Sequence, residues 1–335
     1  MPYRRALGVG TAIALAGVLA QASAAADSRA PLVLEAEIPL ADVAGRIDHL
    51  AIDLEHRRLF VAELGNNSLD VIDLADRLVV HRLTGLKEPQ GVLYQPKSEL
   101  LAVANADDGS LLFFHGKDFA PAGRIELGSD ADNLRLDERS GHVVVGYGEG
   151  GLAAIDAKTR SRLSDIRLAA HPEGFQLAPN GLSAYVNIPE ARQITVVDMR
   201  SGQTVATWPT GELRSNFPMA ISADGQRLAV VFRAPPTLAL LDARSGRILS
   251  RQQSCGDSDD VFFDERRKRL YLSCGEGAVE AFDWPNGELR RVGRIDAPSG
   301  ARTSLFVPEL DRLFVAARAG LLGGQARVLV FRPAP

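Results

Sequence analysis

The sequence predicts an all-β chain, a seven-bladed β-propeller of four-stranded antiparallel blades. Three observations predict it. A unit of four short strands recurs along the chain, it recurs every 41–44 residues, and the two ends of the chain supply complementary parts of one further unit. The clearest copy spans residues 45–74. Its apolar runs are Leu50-Ala51-Ile52, Leu59-Phe60-Val61-Ala62 and Leu69-Asp70-Val71-Ile72-Asp73-Leu74, with Leu78-Val79-Val80 following. Runs of this length, rich in β-branched and aromatic residues and bounded by Gly, Asn and Asp, form strands.

The second strand of each unit is the easiest to align. It begins at Leu59, Leu101, Val143, Ala184, Leu228, Leu270 and Leu313, with successive spacings of 42, 42, 41, 44, 42 and 43 residues. Third strands echo Val71-Ile72-Asp73 as Ala154-Ile155-Asp156, Val196-Val197-Asp198, Leu240-Leu241-Asp242 and Ala281-Phe282-Asp283. The turn after them often carries glycine, as in Ser201-Gly202, Ser245-Gly246 and Asn286-Gly287. The final unit, from Ser304 to Phe331, has three strands. An orphan strand, Leu32 to Leu40, resembles the outer strands and precedes any complete unit. It is expected to complete the last blade, which closes the ring and removes the open edges.

At this point the sequence resembles the YVTN-type β-propellers, the secreted or periplasmic proteins often called YncE-like. The resemblance rests on the Asp-containing third strands and on second strands such as Ala184-Tyr185-Val186-Asn187. It covers nearly all of the chain after the first 26 residues and implies architecture rather than chemistry. The Trp-Asp and Gly-His marks of WD-type blades are absent; Asp283-Trp284 has the reverse order.

Residues 1–26 have the form of a secretory signal: Arg4 and Arg5, an uncharged run from Ala6 to Ala20, and Ala22-Ser23-Ala24 as the cleavage site. The run is shorter than the ~20 residues that a spanning helix needs. A periplasmic or secreted protein without membrane attachment is therefore expected, with residues 27–335 as the propeller domain. A net charge of −4 gives no basic excess for nucleic acid. The two cysteines, Cys255 and Cys274, flank an expected strand pair, so an exported chain would bridge them, the alternative being two buried thiols.

Candidate chemistry gathers where each innermost strand begins. The aligned pairs are Asp48-His49, Gln90-Gly91, Asp132-Asn133, Glu173-Gly174, Phe217-Pro218, Asp259-Asp260 and Arg302-Thr303. Glu63, Asn105 and Tyr147 follow second strands, and Arg46, His171 and Arg214 precede inner ones, all on the same expected face. Such a ring suits a hard cation, Ca²⁺ or Mg²⁺, held by Asp48, Asp132, Glu173 and Asp259. His49 beside Asp48 and Glu63 would serve as a general base or bind a softer metal. The alternative is a water-filled channel whose aspartates cap nearby backbone amides. His56, His81, His115 and His142 fall in turns and strand ends away from this face. The glycine-rich stretches 146–151 and 320–324 are expected as hairpin turns.

Three functions are compatible with this pattern. The first is a monomeric scaffold that binds a small molecule or another periplasmic protein at the channel mouth. The second is a metal-dependent hydrolase similar to gluconolactonase and regucalcin-type propellers, with Glu173, Asn133 and Asp259 or Asp260 at the ion. The order and flanks of those residues do not match that family, so its roles are not carried over. The third is a propeller associated with haem or quinone redox chemistry, for which the sequence offers no Cys-x-x-Cys-His.

Overall fold

The computed structural model describes residues 1, 30–320 and 324–335. The expected leader and the middle of the 320–324 turn lie outside them. The described residues hold 28 strands, β1 to β28 in chain order, and three single-turn 3₁₀ helices. No helix among the described residues is long and apolar enough to cross a membrane. The strands form seven separate four-stranded antiparallel sheets, which is the predicted propeller.

Six sheets are sequential meanders. Their inner strands are β2 (Leu50–Asp53), β6 (Pro89–Gln95), β10 (Ala131–Asp137), β14 (Phe175–Leu177), β18 (Arg214–Ile221) and β22 (Ser258–Asp264), and they open blades 1 to 6 in that order. Blade 7 is composite. β26 (Thr303–Val307), β27 (Arg312–Ala317) and β28 (Ala326–Pro333) are joined by β1 (Leu32–Leu40), which pairs with β28 from Leu32↔Pro333 to Leu40↔Ala326.

The core is distributed in the gaps between blades. Seven apolar clusters each draw on two neighbouring blades, from Val61 and Val328 between blades 1 and 7 to Leu238 and Leu272 between blades 5 and 6. Second and third strands are buried on both faces, so their sequences run apolar without alternation. Outer strands alternate or are largely exposed, as at Val80 and Val205.

The recurring aspartate at the end of the third strand shapes the hairpin that follows. Asp73, Asp156, Asp198 and Asp242 each accept backbone N–H bonds from residues two and three positions on. The residue four positions on is left-handed: Arg77 at φ 57°, Arg160 at 56°, Gly202 and Gly246 at 69°. That geometry explains the repeated glycine. A register shift then recurs between third and fourth strands in all seven blades, including Leu34/Ala36 of β1, so β1 behaves as an outer strand.

Candidate functional site at the channel mouth

A chamber of about 1160 Å³ opens at one end of the propeller axis. Its wall is built by a local irregularity of the inner strands. In blades 2, 3, 5 and 6 the ladder to the second strand slips at the aligned pair: between Pro89 and Val92, Ala131 and Leu134, Asn216 and Met219, and Ser258 and Asp260. A bulge leaves residues out of the ladder and re-aims their side chains. Here it frees Gln90, Asp132, Asn133 and Asp259 to face the chamber.

The residue two places ahead of each of these pairs has a left-handed φ: Glu88 (51°), Asp130 (41°), Ser215 (58°) and Asp257 (55°). Glu88 and Asp130 add to the wall, as do Arg46 and His171 at the same offset in blades 1 and 4. The same offset, which already marks Arg46 and His171 in the sequence, would have added Glu88 and Asp130. Two glycines let neighbouring inner strands touch. A Cβ on Gly91 would lie 2.0 Å from the Asp132 carbonyl oxygen, and one on Gly174 would lie 2.5 Å from that of Phe217.

The structure brings together ten of the twelve residues singled out for the mouth: Asp48, His49, Gln90, Asp132, Asn133, His171, Glu173, Asp259, Asp260 and Arg302. It places Glu63 and Asn105 elsewhere. Both side chains are fully buried inside their own blades. Glu63 accepts from Ser68 Oγ near Asp70 and Arg82. Asn105 is bonded to Ser110 Oγ and the Lys87 amide. Glu63 and Asn105 close their second strands with side chains turned into the sheet rather than to the axis. Tyr147 turns outward to Asp165 Oδ1 at 2.7 Å, and Arg214 is exposed and does not line the chamber.

Charge on the wall is uneven. Nine carboxylates face four arginines and two histidines. Three of the arginines are already engaged. Arg46 Nη2 lies 2.6 Å from Asp48 Oδ2. Asp259 is held between Arg302, whose Nε lies 2.5 Å from Oδ2, and Arg233, which packs over the Phe217 ring. Burial works against the charge on His49, but Asp260 at 3.8 Å, Asp48 at 3.6 Å and Asp132 at 4.0 Å outweigh it and carry the imidazole up to about 10. His49 is therefore an imidazolium at neutral pH, which does not suit the general-base role, and Glu63 is not beside it. Burial pushes the Asp132 carboxyl up to about 7; the nearby His49 opposes this, and Asp48 and Glu173 reinforce it. Glu173 is likewise pushed to about 7, by burial first and then by Asp259.

His49, Arg135 and Asp260 also line a second cavity of about 800 Å³ further along the axis, walled by Leu50, Ile52, Leu93, Leu134 and Phe263. They mark the neck between a polar end and an apolar one. Arg135 is invisible in the aligned pairs because it is the fifth residue of β10, three beyond Asp132. Its guanidinium is pulled below its ordinary value by burial, against Asp260 and Asp132.

The remaining expected features are placed as follows. Cys255 and Cys274 are joined, with Cα atoms 5.9 Å apart. Residues 148–150 form the turn between Tyr147 and Gly151, which face each other across a hairpin. His81 and His115 are exposed, His142 is half-buried, and His56 Nδ1 donates to Asp53 Oδ2 at 2.9 Å, all of them outside the chamber.

No protein-family profile matches the chain, and no curated protein matches it. Solved structures do. A chain of Kuenenia stuttgartiensis hydrazine synthase superposes with a TM-score of 0.77 at 16% identity, covering 88% of this chain and 97% of that one. A chain of the mitotic checkpoint complex superposes with a TM-score of 0.78 at 13% identity, covering 100% of this chain and 99% of that one. Likeness at such identity establishes the β-propeller fold and leaves chemistry to the site itself.

Proposed function

We propose that this chain is an exported binding protein whose axial chamber takes a small, positively charged ligand. One observation carries the reading: nine carboxylates against four arginines around about 1160 Å³, on rigid inner strands. A concave site lined by one excess sign of charge concentrates ligands of the opposite sign. Three of the arginines are spent on Asp48 and Asp259, and the other seven carboxylates outnumber the remaining cations, Arg135 and His49. Export rests on the leader pattern of residues 1–26.

The test is a thermal and calorimetric titration of the full mature chain with probes of known charge. Spermidine, putrescine and arginine are expected to raise the melting temperature by mass action, and citrate and succinate to leave it unchanged. Asp48→Asn with Asp130→Asn should weaken the cationic probes at least tenfold. Binding of the dicarboxylates alone, or of no organic cation at millimolar concentration, would overturn this reading.

A further inference from the structure

We propose that Asp132, His171 and Glu173 form a seat for a divalent first-row transition cation, of the zinc or nickel class, on the chamber wall between blades 3 and 4. The inference deepens the chamber reading, on which it rests, by naming what the chamber itself holds. One ligand atom from each of the three residues lies within 4.8 Å of the other two. Bonds of ~2.1 Å place ligand atoms ~3.4 Å apart in a tetrahedral shell. Closing that gap draws the ligand atoms together by at most about 1.4 Å.

The three side chains are held but unspent. His171 Nδ1 lies 2.6 Å from the Gly148 carbonyl oxygen, which accepts from it. That bond fixes the tautomer and leaves Nε2 as a free lone pair, the arrangement by which imidazoles are oriented toward metals. Asp132 is 5% exposed; Asn133 donates to its Oδ2, and the other oxygen makes no hydrogen bond, its nearest cationic group being His49 Nε2 at 4.0 Å. The Glu173 carboxylate has no hydrogen bond or ion pair among the described residues, while its backbone N–H is fixed to the Asn187 carbonyl at 3.0 Å. A carboxylate partly withdrawn from water and without a paired cation favours a bound cation or a proton.

Two carboxylates of the four-membered ring are already matched by arginines, and Asp130 Oδ2 lies 3.5 Å from His171 Nδ1, the nitrogen that the Gly148 bond already uses. Asp48 is neutralised by Arg46, and Asp259 by Arg233 and Arg302. The arginines thus occupy two corners of the four-carboxylate ring that a Ca²⁺ or Mg²⁺ site would need. Of that ring two carboxylates remain, Asp132 and Glu173, with the His171 imidazole beside them. Ca²⁺ takes six to eight oxygens, which this set cannot supply, whereas a mixed nitrogen and oxygen set suits zinc, nickel or cobalt. Three protein ligands leave a coordination position open toward the chamber, where a ligand atom or water completes the shell.

The experiment uses the full mature chain, stripped with chelator and titrated separately with Zn²⁺, Ni²⁺, Ca²⁺ and Mg²⁺. Zn²⁺ and Ni²⁺ are expected to bind one per chain at micromolar concentration or below and to raise the melting temperature by several degrees. Ca²⁺ and Mg²⁺ at millimolar concentration should do neither. His171→Ala and Glu173→Gln should each weaken Zn²⁺ at least a hundredfold. X-ray absorption of the zinc-loaded wild type needs no variant, and should show one imidazole among oxygen ligands. No tight Zn²⁺ site, a site unmoved by both substitutions, or a zinc shell without imidazole would each overturn the proposal. A failed metal titration with intact spermidine binding would leave the chamber reading standing.

Discussion

Arg82 grips Asp70 with two bonds, Nε to Oδ1 at 2.6 Å and Nη2 to Oδ2 at 2.7 Å, and this pair lies beside the fully buried carboxyl of Glu63. The arginine is spent on Asp70, so Glu63 is left with Ser68 as its hydrogen-bond partner. Burial, reinforced by Asp70, pushes Glu63 up to about 8. The folded state therefore holds a proton that the unfolded state releases near 4.5. Stability from this group is fully present below 4.5 and declines as pH rises toward 8. Glu63→Gln keeps the shape and removes the decline. The variant should nearly match the wild type at pH 4.5 and exceed it at pH 8.5 by on the order of 4 kcal/mol. Urea unfolding at the two pH values checks this, and an equal difference at both would refute it.

Gly174 stands where two inner strands touch. Its N–H donates to the Phe217 carbonyl at 3.1 Å, and an added Cβ would sit 2.5 Å from that oxygen and 3.2 Å from the Met219 nitrogen. Backbone atoms cannot rotate away, so Gly174→Ala must push blades 4 and 5 apart at the chamber wall. A loss of about 2 kcal/mol is expected from overpacking, together with weaker binding of any chamber ligand. Denaturation and ligand titration of the same variant would show both, and an unchanged protein would mean that the strands slide freely.

The propeller was legible because its evidence is repetitive. One blade could be misjudged, but second strands from Leu59 to Leu313 at near-constant spacing could not all be accidental. The closing role of Leu32 to Leu40 followed from counting strands. The site was legible in part. Asp132 and Glu173 stood out because they interrupt apolar runs at equivalent positions. Glu63 and Asn105 misled, because polarity after a second strand does not say which way the side chain turns; both point into the sheet, Glu63 to Ser68 and Asn105 to Ser110. Arg135 and Arg233 were missed because they reach the axis from inside long strands, where an arginine gives no periodic signal.

The Cys255–Cys274 bridge spans a sequence separation of 19 and is buried at both ends. It ties the entry to blade 6 to that blade's second strand, beside Glu280, which accepts the Cys255 N–H at 2.9 Å. By the chain-entropy model a loop of this length contributes about 3 kcal/mol. Cys255→Ala with Cys274→Ala should lower the unfolding free energy by roughly that amount and leave the circular dichroism spectrum unchanged. Titration of two free thiols in unfolded, unreduced wild-type protein would show instead that the bond does not form.

Deleting residues 32–40 should be more damaging than its length suggests. Leu32, Ile38 and Leu40 of β1 are 2%, 0% and 0% exposed, and their loss alone removes on the order of 5 kcal/mol of apolar burial. It also bares the edge of β28. A fall in melting temperature with concentration-dependent aggregation is expected in calorimetry and light scattering. An unchanged melting curve would mean that blade 7 holds without β1.

The composite seventh blade also sets a timetable. Glu35 meets Arg332 across 297 residues of sequence, so β1 cannot pair until β28 has been made. Six blades can assemble as local hairpins while β1 waits with both edges bare for a partner that does not yet exist, the interval in which a strand is most open to wrong company. Glu35 and Glu37 guard it. Once the ring shuts, Glu35 is clasped by Arg312 and Arg332 and Glu37 by Arg327; until then their unanswered charge keeps an otherwise adhesive strand from pairing with its like.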